Sequence, residues 1–154
     1  MRKKTIVLYI VSILTLTMVI APIVSAQPMK PLRCEVAIDL TWTPFGWDGE
    51  ISGDIEGDFR ITPLGAVFPG ITEHYWEEWF IETAEGTITV YQEGVWSFKS
   101  FKFKSNGYVS AATGDWAYLE GARVHVRGVT TPFDGTPGAS VHGDGTVWIC
   151  GLVP

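Results

Sequence analysis

The sequence predicts an all-β domain, eight antiparallel strands closed into a small barrel with one short helical turn near residues 115–121. Three observations carry this expectation. Apolar and polar residues alternate along run after run, as on strands with one face in a core and the other in water. Glycines recur on the apolar faces, where a bent strand or a close neighbour needs room, and this suits a closed barrel better than a flat sheet. Cys34 and Cys150 stand near the two ends of the domain, where the first and last strands of an even-numbered meander meet.

The 154-residue chain begins with Arg2, Lys3 and Lys4, followed by an apolar run over residues 5–24 and the small-residue site Val24-Ser25-Ala26. Residues 1–26 therefore read as an export signal, and Pro22 near the cut favours cleavage. The run also has about the ~20 residues of a bilayer-spanning helix, so an uncleaved anchor is the alternative and the only membrane contact foreseen. Residues 27–32, with Pro28 and Pro31, read as a linker, and 33–154 as a single domain, secreted or held at an extracytoplasmic surface.

Once Arg2, Lys3 and Lys4 are removed from the 11 basic residues, 8 remain against 17 acidic ones. A nucleic-acid partner is not expected of so acidic a domain. Its only local basic cluster, Lys99, Lys102 and Lys104, reads as a solvated strand face.

Residues 33–42 alternate cleanly and form the first strand. Residues 43–49, TPFGWDG, read as a turn-rich connection, and 50–61 as one continuous strand carrying Gly53 and Gly57 on its apolar face. After a Pro and Gly loop at 62–72 comes an aromatic strand, 74–83, in which either face brings a glutamate between aromatic neighbours. Residues 86–93 make its hairpin partner. Gly94 marks a bulge, and a long strand at 95–104 bends again near Lys99 and Ser100. Asn106-Gly107 is a turn dipeptide that starts a short strand at 108–113. Asp115 caps a single helical turn, Gly121 ends it, and strands at 123–129 and 141–150 flank a Pro and Gly loop at 130–140.

In a meander of eight strands Cys34 would face Cys150, and a disulfide would staple the seam. The bridge would close a loop of about 115 residues, worth on the order of 4 to 5 kcal/mol.

With GTITVYQEG, SNGYVSAATGDWAYLEGARVHVRG and GDGTVWI in view, the chain resembles the allene oxide cyclase barrel-like group, including its small prokaryotic members of unknown function. The resemblance spans residues 82–149 and centres on Thr113-Gly114, Leu119 and Gly121-Ala122. It implies a calycin-like barrel. The plant cyclases of that group hold a fatty-acid epoxide in an apolar cavity with a glutamate and a water, and no position of this sequence is matched to that glutamate.

Candidate chemistry centres on Glu77 and Glu78. Whichever of them points inward would have its pKa raised by apolar burial and could donate or shuttle a proton. Five of the seven tryptophans, Trp42, Trp76, Trp79, Trp96 and Trp116, could wall a pocket for an apolar ligand. His125, or His142 with Asp144, could serve as a base, although an outward polar row is the preferred reading of His125 and a flexible or bulged strand section, at Gly143 and Gly145, that of His142 and Asp144. Asp48, Glu50, Asp54, Glu56 and Asp58 do not follow a calcium-loop spacing, and the three histidines are too scattered to ligate with the cysteines, so neither a metal nor a cofactor is expected. The expected function is binding of a small apolar or amphipathic ligand. The alternatives are a lyase or isomerase using an interior glutamate, and a structural or adhesive surface module.

Overall fold

The computed structural model describes residues 30–43, 46–132 and 141–151, with the backbone alone for 40–43. Eight strands form one closed antiparallel barrel in sequence order, each bonded to the next and the last to the first. They are β1 (Leu32–Thr43), β2 (Gly46–Gly53), β3 (Gly57–Val67), β4 (Thr72–Thr83), β5 (Gly86–Ser97), β6 (Lys102–Ala112), β7 (Arg123–Thr130) and β8 (His142–Cys150). A 3-10 helix, Gly114–Leu119, joins β6 to β7. The expected all-β barrel is therefore present; the leader expected at 1–26 lies outside the described residues.

Alternation decides what fills the barrel. Val36 and Ile38 of β1, Phe59 and Ile61 of β3, Trp79 and Ile81 of β4, Val124 and Val126 of β7 all point inward and are buried. Lys102, Lys104, Arg123 and Arg127 are among the charged side chains that line the outside. This is the reverse of a barrel that spans a bilayer, whose outer band is apolar.

The two ends differ. At one end the 3-10 helix plugs the barrel with Leu119, which is fully buried, and with Trp116, whose indole N–H donates to Thr83 Oγ1 at 2.9 Å. The start of β1, the end of β8 and the turns at 54–56 and 84–85 share that end. The other end, here called the rim, carries the connections at 68–71 and 98–101.

Three inward aromatic rings explain much of the glycine. Phe59 lies over its ladder partner Gly49, where a Cβ would stand 2.4 Å from the ring. Tyr75 lies in the same way over Gly94, at 2.2 Å, and Phe103 over Gly128, at 2.2 Å, reaching on to Gly145. Each glycine gives its missing side-chain volume to a neighbour's ring, which is how a narrow barrel accommodates aromatics without strain.

Several local expectations are corrected. The alternating run at 50–61 is two strands joined by a tight turn, with Gly53 at φ +115° starting the reversal. Gly94 lies within the regular β4–β5 ladder, and Asn106-Gly107 lies inside β6. The chain reverses instead at 98–101, where Phe101 adopts φ +56° and donates its N–H to Ser97 O at 2.7 Å. Thr113 rather than Asp115 occupies the N-cap, and Asp115 sits in the first turn, on the side where a helix favours negative charge.

The disulfide is corrected as well, since both thiols are free. β1 and β8 do close the seam antiparallel, but Cys34 is level with Val147, three residues short of Cys150. That offset is roughly 10 Å along a strand rising ~3.3 Å per residue, beyond the ~7 Å that a bridge spans. The parities also disagree. Cys34 is fully buried inside, whereas Cys150 follows the inward Ile149 and so faces out, half-buried.

Candidate functional site

The inner wall is apolar toward the plugged end and, on β4, β5 and β6, carries polar groups toward the rim. Trp79 and Ile81 anchor the parity of β4 in the core, so Glu77, Tyr75 and Glu73 follow on the same inward face while Glu78 points out and is exposed. Glu77 keeps 7% of its surface. Its ladder partner on β5 is Gln92, completely buried, and one strand further Ser105 of β6 comes in diagonally, 3% exposed. Three adjacent strands thus deliver polar groups to one patch of the inner wall.

These groups bond one another incompletely. Trp79 Nε1 donates to Glu77 Oε1 at 2.7 Å, and the Trp79 ring is held by stacking on Phe59, 4.7 Å between centroids and 8° from parallel. The Ser105 hydroxyl donates to Gln92 Oε1. Gln92 Nε2, on the other side of that carboxamide, is buried and has no partner among the described residues. A buried amide with an idle donor costs about 1 to 3 kcal/mol relative to a paired one, so the inner wall presents unmet hydrogen-bonding capacity.

None of these side chains is basic, and burial sets the protonation of the three that titrate, Glu77, Glu73 and Tyr75. Loss of water pushes the Glu77 carboxyl up to about 7; the nearby Glu73 adds to this, and the Trp79 N–H works against it. Burial likewise raises Glu73. The Tyr75 phenol is raised above its ordinary value by burial first and by Glu77 next, with Ser105 easing the shift. Near neutral pH, therefore, Glu77 exchanges between acid and carboxylate, and Tyr75 stays a neutral donor. Tyr75 and Glu73 are only half-buried, so the patch grades from a buried carboxyl toward the rim.

The sequence-named residues fall in several places. Glu77 is inside and Glu78 outside. Trp79 belongs to the cluster. Trp96 is half-buried at the rim and donates its Nε1 to Thr130 Oγ1 at 3.1 Å, whereas Trp76 lies on the outer face beside Gly65. Trp116 packs at the plugged end, and the Trp42 side chain lies outside the described residues. The four of these tryptophans whose side chains are described are thus spread over the interior, the rim, the outer face and the plugged end. His125 is exposed, with Nδ1 2.7 Å from Asn106 Oδ1, and His142 and Asp144 are exposed on the outer wall, where they border a shallow depression with Asp48 and Asp58. No group of three or more His, Cys, Asp or Glu side chains is placed to hold a metal among the described residues.

Gln92, Ser105, Tyr75 and Glu73 were not singled out by sequence reasoning. The signal was available in part: once Glu77 is taken as inward, Tyr75 and Glu73 must be. Gln92 and Ser105 depended on the register of β5 with β6, which the turn assigned to Asn106-Gly107 concealed. Comparisons with protein-family models, with curated proteins and with solved structures found no match.

Proposed function

We propose that this chain is an extracytoplasmic binding barrel for a small, largely apolar molecule carrying one polar acceptor such as a carbonyl, seated at the rim half of the interior. The observation that carries this reading is the idle Nε2 donor of Gln92 beside a protonatable Glu77 and the Tyr75 phenol. Donors gathered on one wall fix the orientation of a ligand whose remaining surface contacts apolar side chains. Phe103 and Trp96, the inward rings nearest the rim on β6 and β5, supply such contacts. The export signal read at 1–26 and the resemblance to the cyclase barrel-like group agree with this reading.

The test is a thermal-shift series with fatty acids, fatty alcohols and terpenoid ketones on the wild type and on Gln92→Leu. Carbonyl-bearing ligands are expected to raise Tm in the wild type and to lose about tenfold in affinity in the variant, the worth of one charge-free hydrogen bond in a dry site. No shift with any class, or equal shifts in both proteins, would overturn the reading.

A second reading, a lyase or isomerase, draws on the Glu77 carboxyl at about 7, well placed to give and take a proton near neutrality. It requires turnover that disappears in Glu77→Gln while ligand binding persists. Binding that survives without any chemical change in the ligand would favour the first reading.

A further inference from the structure

The rim has a feature that the interior cluster does not use. The β2–β3 ladder ends at Trp47 and Ile61, whereas β3 and β4 remain paired out to Val67 and His74. The projecting ribbon exposes Leu64, Val67, Phe68 and Ile71 at 55%, 52%, 63% and 59%. Isolated exposed apolar residues are ordinary, but four on one projection form a patch.

The projection is braced. Phe98 N–H in the β5–β6 turn donates to Ile71 O at 2.9 Å, and the Phe98 ring stacks with Phe68 at 6.3 Å between centroids. Trp96 meets Phe98 edge-on at 5.0 Å. Beside this apolar edge stand the exposed Lys99 and Lys102, with Lys104 and Arg127 paired further down the outer face of β6 and β7. The lysine cluster of an acidic domain thus adjoins its projecting apolar ribbon.

We propose that the rim docks on an anionic lipid bilayer, with Phe68, Ile71 and their neighbours entering the headgroup boundary and the lysines meeting lipid phosphates. Apolar insertion joined to basic flanks is the combination by which interfacial segments hold to such surfaces. A second copy of this chain is a poorer occupant. Its acidic wall would answer the lysines, but among large apolar side chains β1–β4 below the ribbon expose only Phe80, among the described residues.

The test uses the full chain with vesicles of phosphatidylcholine alone or with one third phosphatidylglycerol. The apolar run at 5–24 has the length of a bilayer span, so the readout must be local to the rim: amide hydrogen exchange over residues 64–72 and 97–102. Slowed exchange there is expected with the anionic vesicles, lost in a Phe68→Ser/Ile71→Ser variant and weakened roughly fivefold for each of Lys99→Gln and Lys102→Gln. All four side chains are exposed, and circular dichroism checks that the variants remain folded. Unchanged exchange in these segments, equal slowing on phosphatidylcholine alone, or slowing that follows protein concentration without lipid would each overturn the proposal.

Discussion

Glu77 ties the stability of the barrel to pH. Its carboxyl is raised from the ordinary value of 4.5 to about 7, so the folded state holds the proton more tightly than the unfolded chain does. Stability from this group is present in full below about pH 4.5, falls as pH rises through 7, and levels off above. The total change is on the order of 3 kcal/mol for such a gap. Glu77→Gln keeps an oxygen for the Trp79 N–H and has nothing to ionise, so it should flatten this component. The difference in unfolding free energy between variant and wild type, measured by denaturant titration from pH 5 to 8.5, should grow in favour of the variant. A constant difference would mean that Glu77 titrates normally. Which glutamate faced inward was not legible beforehand, because the strand places Trp76 with Glu78 and Trp79 with Glu77, and both faces look equally aromatic. The packing of Trp79 on Phe59, contributed by another strand, decides it.

At the scale of the strands, ring-over-glycine pairs should behave as units. Gly94→Val places a side chain where the Tyr75 ring lies and is expected to cost about 1 to 3 kcal/mol by overpacking. Adding Tyr75→Ala should recover part of that loss, which a double-mutant cycle reads directly. If the two losses simply add, the ring does not depend on the glycine. The seam gives a second expectation. Since the thiols are separated by face and by register, reductant should leave Tm unchanged, and Cys150→Ser should shift stability by less than about 0.5 kcal/mol. A reductant-induced fall in Tm would restore the bridge.

Over the whole molecule, the strand count was legible for a partly accidental reason. Reading 50–61 as one strand removed a strand, and dividing 86–113 into three pieces rather than two restored it. Period-two alternation passed through the β2–β3 reversal unnoticed because Ile55, in the turn itself, is buried like the strand residues on either side. The true reversal at 98–101 left no Asn-Gly or Pro signature; Phe101 is driven into positive φ by the strands it connects. Asn106-Gly107 looked like a turn, but Gly107 instead lets two backbones close up, since a Cβ there would meet Tyr91 O at 1.9 Å. Closure, by contrast, was readable from alternation and glycine placement, because both follow from burying one face of every strand.

The position of the first and last strand ends has a consequence for how the domain could be displayed. The start of β1 and the end of β8 both lie beside the 3-10 plug, and strands of about 12 residues tilted ~40° put roughly 30 Å between that end and the rim. Anything joined to the first or last strand, whether a tether, a tag or a neighbouring domain, is thereby kept at arm's length from Phe68 and Glu73. A domain held at the start of β1 would carry its rim on the side away from the attachment, toward whatever lies across the gap.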